Sequence, residues 1–136
     1  MIELYSLNIA VAENAAVPFE NSALAKGCTA IQTAPATVQL NKRGVYMVEV
    51  NCSVAPTAAG DVSVQLNKNG VLVPGALSIA AGTAGADSVL SFTTLVQVSE
   101  DNKPCNCIST PVTIQLINTG EAGTFSVAHM VVTKLC

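Results

Sequence analysis

The segment VQLNKRGV at 38–45 returns twenty-six positions later as VQLNKNGV at 64–71, and a shorter echo, IQLINTG, occupies 114–120. Each copy runs an alternating apolar and polar stretch into an Asn/Gly turn, the local recipe for a strand entering a tight hairpin. In the second copy Val62, Val64 and Leu66 alternate with Asp61, Ser63 and Gln65, the period of a half-buried strand. Asn69-Gly70 then supplies the positive φ angles a two-residue turn needs, and Val71-Leu72-Val73 begins the return. The first copy turns over 41–44 into the long run VYMVEVNCSV, where Tyr46, Val48, Val50, Cys52 and Val54 share one face and Met47, Glu49, Asn51 and Ser53 the other. A phrase of about ten residues is too short for a solenoid repeat, which needs twenty or more. It marks one hairpin solution used again.

The same habit continues along the chain. Leu90, Phe92, Val96 and Val98 fall in phase within 87–98, and Val112, Ile114 and Leu116 line one face of the next strand. In the last, 124–135, alternation groups Phe125, Val127, His129 and Val131, yet Ala128, Met130 and Val132 make the opposite face apolar too. A strand apolar on both faces is expected to be covered on both. The opening MIELYSLNIAVAEN reads as an edge strand, SIAAGTAGAD at 78–87 as a loop, and residues 21–26, bracketed by Pro18 and Gly27, as one helical turn at most. Prolines at 18, 35, 56, 74, 104 and 111 are assigned to strand ends or loops. The pattern predicts an all-β chain, a single domain over residues 1–136, folded as an antiparallel jelly-roll sandwich of about eight to ten strands.

Composition then bears on what covers the surface. Half of the residues are hydrophobic and 11% are charged, against a usual charged share of roughly a quarter. Apolar surface left by that shortage is expected to be covered by further copies of the chain, as in obligate homo-oligomers. The net charge is −3, aromatics are 4%, and Lys42-Arg43 is the only adjacent basic pair, so a nucleic-acid groove is not expected. No apolar run approaches the length of about 20 residues of a membrane helix. With an early Glu3 and no basic leader, the N-terminus does not read as a secretory signal. The expectation is a chain made in the cytoplasm with reduced cysteines, since five cysteines cannot all pair.

Residues 44–76, GVYMVEVNCSVAPTAAGDVSVQLNKNGVLVPGA, resemble the central part of the C1q/tumour-necrosis-factor-like jelly rolls, in particular their short bacterial and phage members. The family's G-x-Y strand start corresponds to Gly44 and Tyr46, its strand–Asn-Gly–strand element to 62–73, and its Gly-x-Phe entry to the final strand to Gly123-Thr124-Phe125. The resemblance extends over roughly 16–135, with Val where the animal members carry aromatics, and residues 1–15 hold no collagen-like Gly-X-Y repeat. It implies a homotrimer packed face-on around a three-fold axis, with any stalk or anchor supplied by a separate protein. Tyr46, Phe125, Val127, His129, Met130 and Val132 are then core or trimer-interface residues, and Asn69 and Gly70 the hairpin turn.

Chemistry-bearing residues are few. His129 is the only histidine and lacks a nucleophile nominated by spacing; a packed or interface histidine, with pH sensitivity as a minor role, fits its phase better. Cys105-Asn106-Cys107 admits metal or redox chemistry with Cys28 or Cys136, but its spacing is tighter than in structural zinc sites and favours small residues in a loop between Pro104 and Pro111. Cys52 reads as packing. Asp61, Asp87, Glu100-Asp101 and Glu121 lie near strand ends as solvated turn residues; the resemblance implies calcium as the one ion to consider, and no cofactor otherwise. Glu13 and Glu20 form a glycosidase pair only if the fold brings them together. The sequon Asn51-Cys52-Ser53 falls mid-strand. The expectation is therefore a non-enzymatic trimeric module, a structural or attachment protein decorating a virion or surface appendage of phage type and engaging a cell-surface glycan or receptor. The alternative is a carbohydrate-binding, lectin-like module.

Overall fold

In a computed structural model the structure describes residues 1–27, 29–98 and 107–135, with 107–111 described by backbone alone. Ten strands follow one another among these residues: β1 (Ile2–Val11), β2 (Asn21–Ala25), β3 (Ala30–Ala34), β4 (Thr37–Lys42), β5 (Gly44–Pro56), β6 (Gly60–Lys68), β7 (Val71–Gly82), β8 (Ser88–Val98), β9 (Cys107–Asn118) and β10 (Gly123–Lys134). They form two five-stranded antiparallel sheets, ordered β2-β1-β10-β5-β8 and β3-β4-β9-β6-β7, a jelly-roll sandwich. No helix among them is long and apolar enough to cross a membrane.

The core is built from the inward halves of alternating strands. Tyr46, Val48, Val50, Cys52 and Val54 of β5 all face it, opposite Val62, Val64 and Leu66 of β6 and Ile114 and Leu116 of β9. The buried Tyr46 hydroxyl donates to the Lys42 carbonyl at 2.7 Å, which satisfies its polar end. Residues 15–20 link β1 to β2 of the same sheet and bond to the other sheet on the way. There Val17 N–H donates to Leu116 O at 2.8 Å, Ser6 Oγ donates to Pro18 O and accepts from Glu20 N–H, and Val17 and Phe19 are buried.

The three echoes end in three different turns. Asn69 (φ 52°) and Gly70 (φ 85°) form the β6–β7 hairpin, and the Asn69 side chain and N–H bond to the backbone of Thr113, fastening the turn to β9. The first copy turns through Gly44 into β5. In the third, Asn118 is buried and its amide donates to the carbonyls of Val11, Ala12 and Glu121. Gly120 passes so close to β6 that a Cβ there would sit 2.5 Å from the Asp61 carbonyl oxygen.

Several local expectations are corrected. Residues 21–25 are strand β2, not a helical turn: they pair with β1, whose outer edge offers unsatisfied N–H and C=O groups that outweigh weak helical preference. It follows that β1 is not an edge strand. Of the expected loop 78–87, residues up to Gly82 belong to β7, where small residues leave the pairing with β6 undisturbed. Pro74 lies within β7, an edge strand, and Pro111 within β9, where the β4–β9 register breaks between Leu40↔Val112 and Lys42↔Cys107.

The most consequential correction concerns β10. Phe125 pairs with Val54 but Val127 with Ser53, so β10 carries one extra residue, a bulge at Ser126. On its other side β1 breaks phase at the same level, at Asn8 (φ 52°): Leu7 pairs with Val127 and Ile9 with Phe125. Phe125 therefore points into the core with Ala128, Met130 and Val132, while Val127, His129 and Val131 face outward. Simple alternation had placed Phe125 with the outward group; one inserted residue exchanges the faces.

Candidate interaction surface

With that phase, the outer face of the first sheet can be read in rows across the strands. One row is Glu3 (β1), Val131 (β10), Glu49 (β5) and Thr93 (β8); the next is Tyr5, His129, Asn51 and Ser91; the third is Leu7, Val127, Ser53 and Val89. Opposite residues in such rows touch, and diagonal ones lie within reach of long side chains. His129 Nε2 donates diagonally to Glu3 Oε1 at 2.8 Å, with both side chains half-buried. On the far side, Glu49 is the diagonal neighbour of His129 on β5. The centre of this face is thus polar and carries two carboxylates and one imidazole.

Its flanks are apolar. Toward β2 lie Leu24, Leu7 (55% exposed) and Val127 (41%); toward β8 lie Val89 (76%) and Leu95 (61%). The second flank continues around the edge, where Lys68 Nζ donates to Gln97 O, Ser91 N–H donates to Ser78 Oγ, and β7 exposes Leu77 and Ile79. Large apolar residues held this exposed at two ends of one face are what an interaction surface leaves on an isolated subunit.

Of the residues nominated by sequence, Tyr46, Phe125, Met130 and Val132 sit in the subunit core, Val127 and His129 on the outer face, and Asn69 and Gly70 in the hairpin turn. Alternation missed Glu3 as the partner of His129, a contact that needs the β1–β10 register, and it missed the Leu7 and Val89 flanks. Cys105, Cys28, Cys136 and the Glu100-Asp101 pair lie outside the described residues, and Cys107 is placed only as the first residue of β9. Cys52 is buried, and burial pushes its thiol up to about 12. Among the described residues no three His, Cys, Asp or Glu side chains are grouped to hold a metal ion. Glu13 and Glu20 are both exposed. Glu20 lines an open groove of about 460 Å³ with Phe19, Gln32, Thr33, Ala34 and Pro35. The Gln32 amide there is already spent on the carbonyls of Phe19 and Pro35.

No protein-family model matches the sequence, and no curated protein matches it. Solved structures do. Murine APRIL superposes with a TM-score of 0.68 at 10% identity, covering 98% of each chain. The globular domain of zebrafish complement 1qA protein gives 0.67 at 9% identity over 96% of this chain and 94% of that one. The vertex protein P5 of phage PRD1 gives 0.59 at 12% identity over 99% and 96%. The chain has the C1q/TNF-like jelly-roll fold.

Proposed function

We propose that the protein is a non-enzymatic trimeric module, a structural or attachment protein displayed on a virion or phage-like surface appendage. The observation that carries this reading is the pair of apolar flanks at opposite ends of the β2-β1-β10-β5-β8 face. A cyclic assembly joins two different patches of neighbouring copies and closes when the rotation returns to the start. Here the β7–β8 edge of one copy, with Val89, Leu95 and Ile79, packs over the Leu7–Val127 flank of the next. The chain's low charge and its structural likeness to a phage vertex protein support the same reading. Three tips tethered together on an anchoring protein engage a surface receptor by avidity, each contact weak and the set strong.

Light scattering at micromolar concentration is expected to give three times the subunit mass of 13.9 kDa. A mass equal to one subunit overturns the proposal. Phe19, Tyr46 and Phe125 are all buried, which leaves Tyr5 and Phe92 as the only partly exposed rings and little of the aromatic platform a sugar site uses. A clear hit on a glycan array restores the lectin reading.

A further inference from the structure

Resting on that trimeric reading, we infer that the Glu3–His129 pair makes assembly of the subunits proton-dependent, so that the trimer tightens as pH falls from 7.5 to 5.5. The inference starts from what the outer face asks a neighbouring copy to cover. Between its apolar flanks lie Glu3, His129 and Glu49 on three adjacent strands, with the Glu3 carboxylate 2.8 Å from the imidazole. With His129 neutral the three groups sum to two negative charges per subunit, and three copies bring all of them toward one another. With His129 protonated that charge is halved, and Glu3 enters the interface as half of an ion pair.

The sign follows from desolvation. A carboxylate covered by a neighbour without a compensating charge is far costlier than a hydrogen-bonded pair. Placing a proton on the imidazole removes that cost at Glu3 and offsets part of the field of Glu49. Burial of the cation itself opposes this, but the cation already holds its counter-ion at hydrogen-bond distance before any partner arrives. Assembly therefore favours the protonated histidine and takes up protons.

The other groups around His129 are few: Tyr5 lies opposite it on β1 and Asn51 on β5, and β2 and β8 carry no ionisable residue. The Met1 ammonium, two residues before Glu3, donates to the Lys26 carbonyl at 3.2 Å. Because it is present in every variant, comparison with a His129 substitution isolates the histidine.

The experiment is sedimentation equilibrium across a dilution series at pH 7.5 and 5.5 for the wild-type chain, His129→Gln, Glu3→Gln and Glu49→Gln, each checked for folding by circular dichroism. The wild-type association constant is expected to rise by about tenfold or more on acidification. The two substitutions at the pair are expected to flatten that response, and Glu49→Gln to tighten association at pH 7.5. A trimer equally stable at both values, or a pH response that survives His129→Gln and Glu3→Gln, overturns the proton dependence while leaving the trimer intact. A wild-type chain that stays monomeric at both values overturns the trimer instead.

Discussion

Replacing Phe125 with Ala separates the bulged β10 from a regularly alternating one. Phe125 is fully buried, pairs with Ile9 on β1 and Val54 on β5, and is among the largest side chains of the core. Truncation removes most of a ring from a packed interior, and such changes cost about 3–5 kcal/mol including the cavity. A domain of this size holds about 5–15 kcal/mol in all, so the melting temperature is expected to fall by roughly 10–20 °C. Val127, two residues on and in phase by simple alternation, is 41% exposed; Val127→Ala is expected to cost about 1 kcal/mol or less within the subunit. Urea unfolding at a concentration low enough to dissociate any assembly measures both. If the two substitutions cost the same within about 1 kcal/mol, or if Phe125→Ala is the milder, then Ser126 is not an inserted residue and the outer face has been assigned wrongly.

Two more outcomes follow from single positions. Gly70→Val places a β-branched residue at φ 85° and is expected to destabilise by about 1–3 kcal/mol, whereas Asn69→Gly keeps the turn but loses the bond to Thr113 N–H and costs about 1 kcal/mol; equal effects in denaturant melts refute the turn geometry. The buried Cys52 thiol, pushed up to about 12 from 9.0, stays neutral in the folded chain while the unfolded chain ionises first. Its contribution is full below pH 9 and declines as pH rises from 9 toward 12, and burial of Tyr46 acts in the same direction. For the dissociated subunit, these two groups are therefore expected to leave stability level from pH 6 to 8 and to lower it above 9, with a smaller fall in Cys52→Ala; an unchanged alkaline slope in that variant removes Cys52 as a cause.

What alternation could and could not reveal is set by where each signal resides. The faces of β5 and β6 were legible because Tyr46 to Val54 and Val62 to Leu66 are apolar at every second residue, that of β8 because only Thr94 interrupts the same pattern, and the Asn69-Gly70 turn because so few residues accept its φ angles. In β2 the signal lay outside the segment, in the open edge of β1 that recruits residues 21–25 into pairing. At β10 it was hidden by two irregular residues, Asn8 and Ser126, which mean nothing singly and match only once the strands are side by side. The Glu3–His129 contact joins positions 126 residues apart; no local pattern encodes it. The same bulge also changes why β10 reads as apolar on both faces. One set, Phe125, Ala128, Met130 and Val132, is consumed by the subunit's own core. The other, Val127 and Val131 beside His129, lies on the outer face, where Leu7, Val89 and Leu95 are left more than half exposed. Those apolar residues, gathered at both ends of one sheet around a paired histidine, are what the proposed assembly would cover.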